Sequence, residues 1–228
     1  EGSWGGKYFW QSAQDIKKIE ANHSNAILDY IKGKYPQLNY LLMIDTDEIL
    51  TDECVAALNN EIVNHQQASS FRINYRTYWK GLHYILEDLR SSHSPIAIKI
   101  TPDVSFVTIR DINKKNKIIL PRDIYYHHPS YARSSKKIFK KIQLFSHARE
   151  IRKNWYNDIW LGWNKDRNIE NLHPLFDGSW WKRAVRIDDK EIPQILRTHP
   201  YFKYETVDDF EKAKQVKEKP AELWIPHG

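Results

Sequence analysis

Apolar residues at regular spacing predict a helix and then a strand near the start of the chain. Residues 24–35 have apolar positions at helical spacing, and Pro36 helps to end this helix. The stripe consists of Ile27, Tyr30 and Ile31. Residues 40–44, YLLMI, form a continuous apolar run of strand length. Such runs are typical of strands buried on both faces, as in parallel sheets.

A second helix and a two-sided strand follow the apolar run. Thr51 is placed to cap a helix, with acidic residues in its first turn. The predicted buried stripe of this helix is Val55, Leu58 and Ile62. Residues 71–79 alternate between apolar and polar positions, which predicts a strand with one apolar face and with Tyr78 on the polar one.

The remaining pattern indicates short strands and further helices. We expect strands at 96–100, 105–110, 118–120 and 124–128, the last ended by Pro129. A helix over about 134–147 has Ile138, Ile142 and Phe145 on one face. Short helices are predicted near 155–162 and 206–217. No linker or repeat divides the 228 residues, so we expect one domain over 1–228.

Composition narrows the class of protein. With 41% hydrophobic and 28% charged residues, the balance is that of a globular chain, and no apolar run is long enough to span a bilayer. The first residues lack the features of a signal peptide. The single cysteine, Cys54, rules out an internal disulfide and favours a reducing compartment. A net charge of +6 suits an anionic partner, although it equally suits simple solubility.

An acidic cluster directly follows the apolar run. Asp45, Asp47 and Glu48 lie at the carboxyl end of the predicted strand, where ligands bind in open α/β sheets. Carboxylate oxygens are the ligands that Mg²⁺ and Mn²⁺ prefer. Two carboxylates at i and i+2 can converge on one cation. The alternative is an acidic loop that only caps the next helix.

The segment Tyr40–Leu50, YLLMIDTDEIL, resembles the strand and D-x-D motif of GT-A glycosyltransferases, especially family-two-like members. Asn25 in SNAIL resembles the asparagine of their R-N-x-x-L helix, with Ser24 in place of the arginine. Residues 126–141 resemble their histidine segment and basic helix, and residues 1–4 the end of an early strand.

The resemblance implies an α/β fold with a central mixed, mostly parallel sheet flanked by helices. It implies that residues 1–120 form the donor and metal part, and that 121–228 form the acceptor side and C-terminal helices. It also implies that an earlier segment, which holds the nucleotide base in the family, is absent or supplied elsewhere.

The resemblance also implies the chemistry of the acidic cluster. A nucleotide-diphosphate-sugar would be the donor, and a Mn²⁺ or Mg²⁺ ion would neutralise its diphosphate. Asp45 would lie near the donor ribose and the metal, and Asp47 would be the direct ligand bridging to the diphosphate. Glu48 would support the loop.

Tandem histidines end the predicted strand at 124–128. Neighbouring residues on a strand point to opposite faces, so we expect only one of His127 and His128 to reach the acidic site. In the family, a histidine here often completes the metal shell. We favour His128 over His127. Both are also compatible with packed or surface positions.

The acceptor side has weaker candidates. An inverting transferase needs a base for the acceptor hydroxyl, and Glu87 or Asp88 lies about where related enzymes place it. Both are equally compatible with solvated loop acids, and a retaining mechanism stays open. Five tryptophans offer an acceptor platform or a core: Trp155, Trp160, Trp163, Trp180 and Trp181.

A basic patch precedes and covers the predicted helix 134–147. Its members are Arg133, Lys136, Lys137, Lys140 and Lys141. Arg133 and Lys137 are our candidates for the donor diphosphate, and the patch also suits an anionic or lipid-linked acceptor at a membrane. A solvated helix face explains it as well.

Three functions therefore stay open from sequence. The first is a glycosyltransferase that uses a glycan, lipid-linked or protein acceptor in the cytoplasm, or at the inner face of a membrane. The second is a non-catalytic carbohydrate-binding or scaffold domain. The third is a metal-dependent nuclease or phosphotransferase, although no nucleic-acid motif and no second acidic cluster is evident.

Overall fold

The structure, a computed structural model, describes residues 13–88, 93–144, 148–167, 169–175 and 181–218. Its α-helices are α1 (Ala13–Lys34), α2 (Asp52–Asn64), α3 (Ser135–Leu144), α4 (Gln194–Arg197) and α5 (Val207–Glu218). Its strands are β1 (Tyr40–Leu42), β2 (Ser70–Trp79), β3 (Tyr84–Asp88), β4 (His93–Lys99), β5 (Lys117–Ile119), β6 (Tyr125–Tyr131) and β7 (Trp181–Arg186). Short 3₁₀ or π turns occupy Ala148–Glu150, Tyr156–Leu161, Asp189–Glu191 and Pro200–Lys203.

The described strands form a sheet in the order β1-β4-β2-β3-β7, with β5 and β6 also paired to β2. Only β5 and β6 run parallel to β2, and the other pairings are antiparallel. The predicted mostly parallel sheet is therefore wrong. A parallel crossover needs a dozen or more residues, usually a helix, whereas only a few residues separate β2 from β3 and β3 from β4.

Strand β2 is the central strand of the sheet, and its neighbour β6 holds the end of the acidic segment. Its parallel pairing with β6 sets Thr77 opposite His128. The backbone of Ile49, just after the acidic segment, exchanges two hydrogen bonds with His127, at 2.8 and 2.9 Å. The end of the segment that follows β1 is thereby fixed against β6. The sheet also contains strands from both sides of residue 120, the expected boundary between the donor part and the acceptor part.

The N-terminal cap of α2 is confirmed, but the predicted buried stripes are only partly right. The backbone N–H of Cys54 donates to the Thr51 side chain at 3.3 Å. Helix α2 buries Cys54 and Leu58, whereas Val55 is exposed.

Helix α1 extends well before residue 24, and its predicted stripe is wrong. It buries Ala21 and Leu28, while Ile27 and Tyr30 are exposed. The buried face is the one that also bears Asn25, whose side chain bonds to a loop of the chain. Polar contacts therefore decide which face of α1 turns inward.

Two strand predictions also need correction. Strand β1 spans only Tyr40–Leu42. Leu41 and Met43 pack against the cluster that contains Leu28 of α1, whereas the alternate residues Leu42 (46% exposed) and Ile44 (47%) remain about half exposed. Residues 105–110 form no strand, only an isolated bridge from Phe106 to Ile112.

Strand β6 continues through Pro129 to Tyr131, so the prediction that Pro129 ends the strand is wrong. The register with β2 shifts between Thr77 and Trp79, which face His128 and Tyr131. Pro129 lies at this irregularity, where its missing N–H breaks no regular ladder bond.

Aromatic residues fill one large core, which we call the tryptophan cluster. It contains Trp79, Trp155, Trp160, Trp163 and Trp181, with Tyr131. Trp79 and Trp160 pack edge to face with centroids 4.8 Å apart. No described helix is long and apolar enough to cross a membrane. The predicted end of the helix at 147 and the candidate Trp180 lie outside the described residues.

Candidate functional site

The acidic loop, Asp45–Glu48, is held in shape by its own last residue. The Glu48 backbone N–H donates to the Asp45 carbonyl at 3.0 Å, and the Asp45 N–H donates to Glu48 Oε2 at 2.9 Å. Arg110 Nη2 lies 2.8 Å from the Glu48 carboxylate and 2.7 Å from Asp45 Oδ2. The Glu48 side chain is only 3% exposed, whereas that of Asp45 is 62% exposed. Glu48 therefore braces the loop, and Asp45 faces solvent.

Arg110 is a site residue that sequence reasoning missed. It is a single arginine in the irregular stretch between β4 and β5, where no pattern signals a function. Asn25 of α1 bonds both backbone groups of Phe106, at 3.0 and 2.6 Å, and Ser24 Oγ donates to the Ile109 carbonyl at 3.1 Å. Ser94 Oγ accepts from Arg110 Nη1 at 2.9 Å. Helix α1 thus positions the loop that brings Arg110 to the acids.

Asp47 lies on the other side of the loop, among positively charged groups. Its Oδ1 is 3.7 Å from His128 Nε2, and its Oδ2 is 3.2 Å from Arg133 Nη2. Burial opposes ionisation of Asp47, but His128, Lys141 and Arg133 together hold the pKa of its carboxyl below the ordinary value. Asp47 is therefore a carboxylate at neutral pH, with cations close by.

The two histidines have separate roles. The Tyr78 hydroxyl and Nδ1 of His127 share a hydrogen bond of 2.8 Å, and burial lowers the pKa of His127 to about 4. His127 is a neutral core residue that faces away from Asp47. Burial also lowers the pKa of His128, although nearby Asp47 opposes this, so its imidazole is largely neutral at pH 7. The structure brings His128, and not His127, to Asp47.

The lysine of α3 that acts on Asp47 is Lys141 rather than the predicted Lys137. Lys137, one turn earlier on α3, is exposed. Lys141 Nζ donates to the side chain and, at 3.3 Å, to the carbonyl of Ser130, and it lies 4.7 Å from the Tyr131 ring centroid. Burial lowers the pKa of Lys141 to about 8, which still leaves it mostly charged at pH 7.

The candidate bases lie on β3, away from the central pairing of β2 and β6. Glu87 accepts a hydrogen bond from Arg183 Nε of β7 at 2.8 Å. Asp88 is the register partner of Trp181 in the same strand pair. The ion pair of Glu87 therefore joins it to β7 and not to the acidic loop.

The candidate acceptor platform is largely core. Trp155, Trp160, Trp163 and Trp181 are all less than 9% exposed. The indole N–H groups of Trp155 and Trp160 donate to the Leu172 carbonyl and to Ser135 Oγ, each at 2.9 Å. These rings hold the fold together and offer no open face to a sugar.

The donor atoms at Asp47 suit a hard cation that is shared with a substrate. No group of three or more described His, Cys, Asp or Glu side chains forms a metal site by itself. Mg²⁺ needs less than that, because it commonly binds through one or two carboxylates together with substrate phosphates and water. Asp47 supplies one such carboxylate, and the neutral His128 adds a nitrogen donor. Nδ1 of His128 is buried without a partner, so the second-sphere hydrogen bond usual for a ligating histidine is missing.

The arrangement combines one carboxylate with a neutral imidazole at 3.7 Å and the Arg133 guanidinium at 3.2 Å, and Lys141 adds a second positive charge that acts on the carboxylate. A carboxylate with an imidazole favours a divalent cation, and the cations favour an anion beside it. Comparisons of the chain with protein-family models, with curated proteins and with solved structures find no match.

Proposed function

We propose that this chain is a metal-dependent glycosyltransferase that moves a hexosyl group from a nucleotide-diphosphate-sugar to an acceptor hydroxyl. One observation carries the proposal: Asp47, in the loop that follows β1, lies beside His128 and Arg133, and the charge of Lys141 also acts on it. Such a set suits a metal-bound diphosphate, in which a divalent cation and phosphate oxygens are bound together.

The residues divide the work of binding the donor. Asp47 and His128 would hold the Mn²⁺ or Mg²⁺ ion, whose charge stabilises the leaving nucleoside diphosphate without protonation. Arg133 and Lys141 would contact the phosphate oxygens. Asp45 joins the metal only if it leaves Arg110, to which it is bound at 2.7 Å.

The acceptor side of the proposal is less developed. Glu87 remains a candidate base and would have to leave Arg183, and Asp88 remains the other candidate. The acceptor class includes glycans, lipid-linked sugars and proteins. The exposed lysines of α3 support contact with an anionic membrane surface. The buried free thiol of Cys54 fits a reducing cytoplasm, which is where we place the reaction.

The test is release of nucleoside diphosphate from a panel of nucleotide sugars with Mn²⁺ and simple acceptors. We expect EDTA to stop the release and Asp47→Ala to lower it at least about a hundredfold, since one lost electrostatic contact in a site costs that much. Asp29→Ala is the matched control, because Asp29 is an exposed acid on α1.

Full turnover by Asp47→Ala with every donor would sink the proposal. Binding of glycans with no response to any nucleotide sugar would favour the non-catalytic carbohydrate-binding alternative instead.

A further inference from the structure

A cleft of about 390 Å³ lies beside the acidic loop. Its volume is within the range of small-ligand sites. It is lined by Ser70, Arg72, Pro95, Arg110, Asp111, Ile112, Lys114, Lys115 and Lys117. We call it the basic cleft, because five of these side chains are cations and one is an acid.

The cations of the basic cleft are not fully neutralised. Arg72 pairs with Asp111, and Lys114 pairs with Asp103. Lys115 and Lys117 form no salt bridge within the described part of the chain. Two positive charges are therefore available to a ligand.

Arg72 adds an unused hydrogen-bond donor. Its Nη1 donates to the His93 carbonyl at 3.3 Å and its Nη2 to Asp111, but its Nε is buried with no partner. A buried donor without a partner costs free energy, and an acceptor oxygen supplied by a ligand removes that cost. The geometry thus indicates a ligand with both negative charge and acceptor oxygens.

The basic cleft and the acidic loop share one side chain. Arg110 lines the cleft, and its Nη2 contacts Asp45 and Glu48. A ligand in the cleft therefore lies next to the place where the donor diphosphate is proposed to bind. In a glycosyltransferase, the position beside the donor belongs to the acceptor.

We propose that the basic cleft binds a phosphate group carried by the acceptor sugar, so that the acceptor is a phosphorylated glycan. A phosphate monoester carries a charge of about −1.5 to −2 at pH 7, which matches the free charges of Lys115 and Lys117. It also has several acceptor oxygens, one of which suits Arg72 Nε. The term acceptor rests on the proposed function, whereas phosphate binding does not.

The test measures binding to the full chain in EDTA without any nucleotide. Inorganic phosphate and glucose 6-phosphate are titrated into ¹⁵N-labelled protein, with glucose and glucuronate as the neutral and carboxylate probes. We expect both phosphates to shift backbone amides of the basic cleft. Glucose 6-phosphate should bind at least about tenfold more tightly than glucose or glucuronate.

A pair of charge-reversal variants distinguishes phosphate binding in the cleft from a general attraction of anions to the positively charged protein. Lys115→Glu/Lys117→Glu should weaken phosphate binding by about tenfold or more. Lys153→Glu/Lys165→Glu, at exposed positions outside both the basic cleft and the basic patch, makes the same change in net charge and should leave binding within about twofold.

The proposal is overturned if phosphate up to about 10 mM shifts no cleft amide, or if both variants lose binding equally. Glucuronate binding as tightly as glucose 6-phosphate would overturn the phosphate assignment, and tighter binding of a short RNA would overturn the sugar. Phosphate binding without donor turnover would sink the proposed transferase and support the anion site. Donor turnover without phosphate binding would support the proposed transferase and overturn the anion site.

Discussion

The acidic loop and the tryptophan cluster contain the most conspicuous residues of the chain, and the two regions differ in how far those residues are buried. In the cluster, rings such as Trp79 are fully buried and packed edge to face. In the loop, Asp45 is exposed, and Asp47 is held by contacts at 3.2 and 3.7 Å. The cluster contributes to stability, and the loop keeps charged groups accessible. The sequence made both of them candidates for ligand binding, the loop for a metal and a diphosphate and the tryptophans for a sugar, and burial separates them.

The largest effect on folding should come from the cluster. Trp79→Ala should lower the free energy of unfolding by about 3–5 kcal/mol, because it leaves a large cavity beside Trp160. Asp47→Asn should change it by about 1 kcal/mol or less, since weak ion pairs contribute little. Urea unfolding of both variants measures the difference. Comparable losses would mean that the loop is part of the folding core.

A smaller, pH-dependent effect should appear at the border of the cluster. Burial lowers the pKa of Lys80 to about 8, although Asp208, 3.8 Å away, opposes this. Between about pH 8 and 10.5 the unfolded chain holds a proton that the native chain has lost, so stability rises with pH there. Between pH 7.5 and 9.5, the free energy of unfolding of the unsubstituted protein should rise by about 2 kcal/mol relative to that of Lys80→Met.

Urea unfolding at those two pH values measures this gain. Lys190→Met is the control, because Lys190 is 80% exposed and is not among the charges that act on Lys80. A constant difference between the native protein and Lys80→Met across the range would contradict the shifted pKa.

The smallest effect should separate the two neighbouring histidines. If Asp47 and His128 hold the metal, His128→Asn should raise the Mn²⁺ concentration needed for half-maximal donor binding by about tenfold. His127→Asn keeps an acceptor for the Tyr78 hydroxyl and should change it by less than about twofold. Calorimetric titration with Mn²⁺ and donor compares them. Equal shifts for both variants would argue against His128 as a ligand.

The sequence predicts local structure here better than it predicts pairing. The Thr51 cap and the position of the acids after an apolar strand both depend on a few adjacent residues. Strand direction depends on the connections, and the short link at residues 80–83 was the signal that β2 and β3 pair antiparallel. The run at 40–44 predicts a strand buried on both faces, but an apolar run does not show whether later elements cover both of those faces.

In the candidate site, too, features that depend on adjacent residues are predictable, and features that depend on distant residues are not. The alternation of a strand is enough to separate His127 from His128. Arg110 depends on Asn25, 85 positions earlier in the chain, which holds the backbone of Phe106. No pattern of residue spacing relates two positions so far apart in the sequence. Lys141 rather than Lys137 meets Asp47 because the pitch and placement of α3, and not its composition, decide which lysine points inward.

The position of Arg110 has a thermodynamic consequence. Its guanidinium lines the basic cleft and at the same time binds Asp45 and Glu48. If an anion in the cleft draws Arg110 away from Asp45, that carboxylate becomes free to bind a cation. Linkage then requires the cation to strengthen anion binding by the same factor. Occupancy of the cleft and of the loop would rise together, so an apparent affinity measured for one ligand would depend on the concentration of the other.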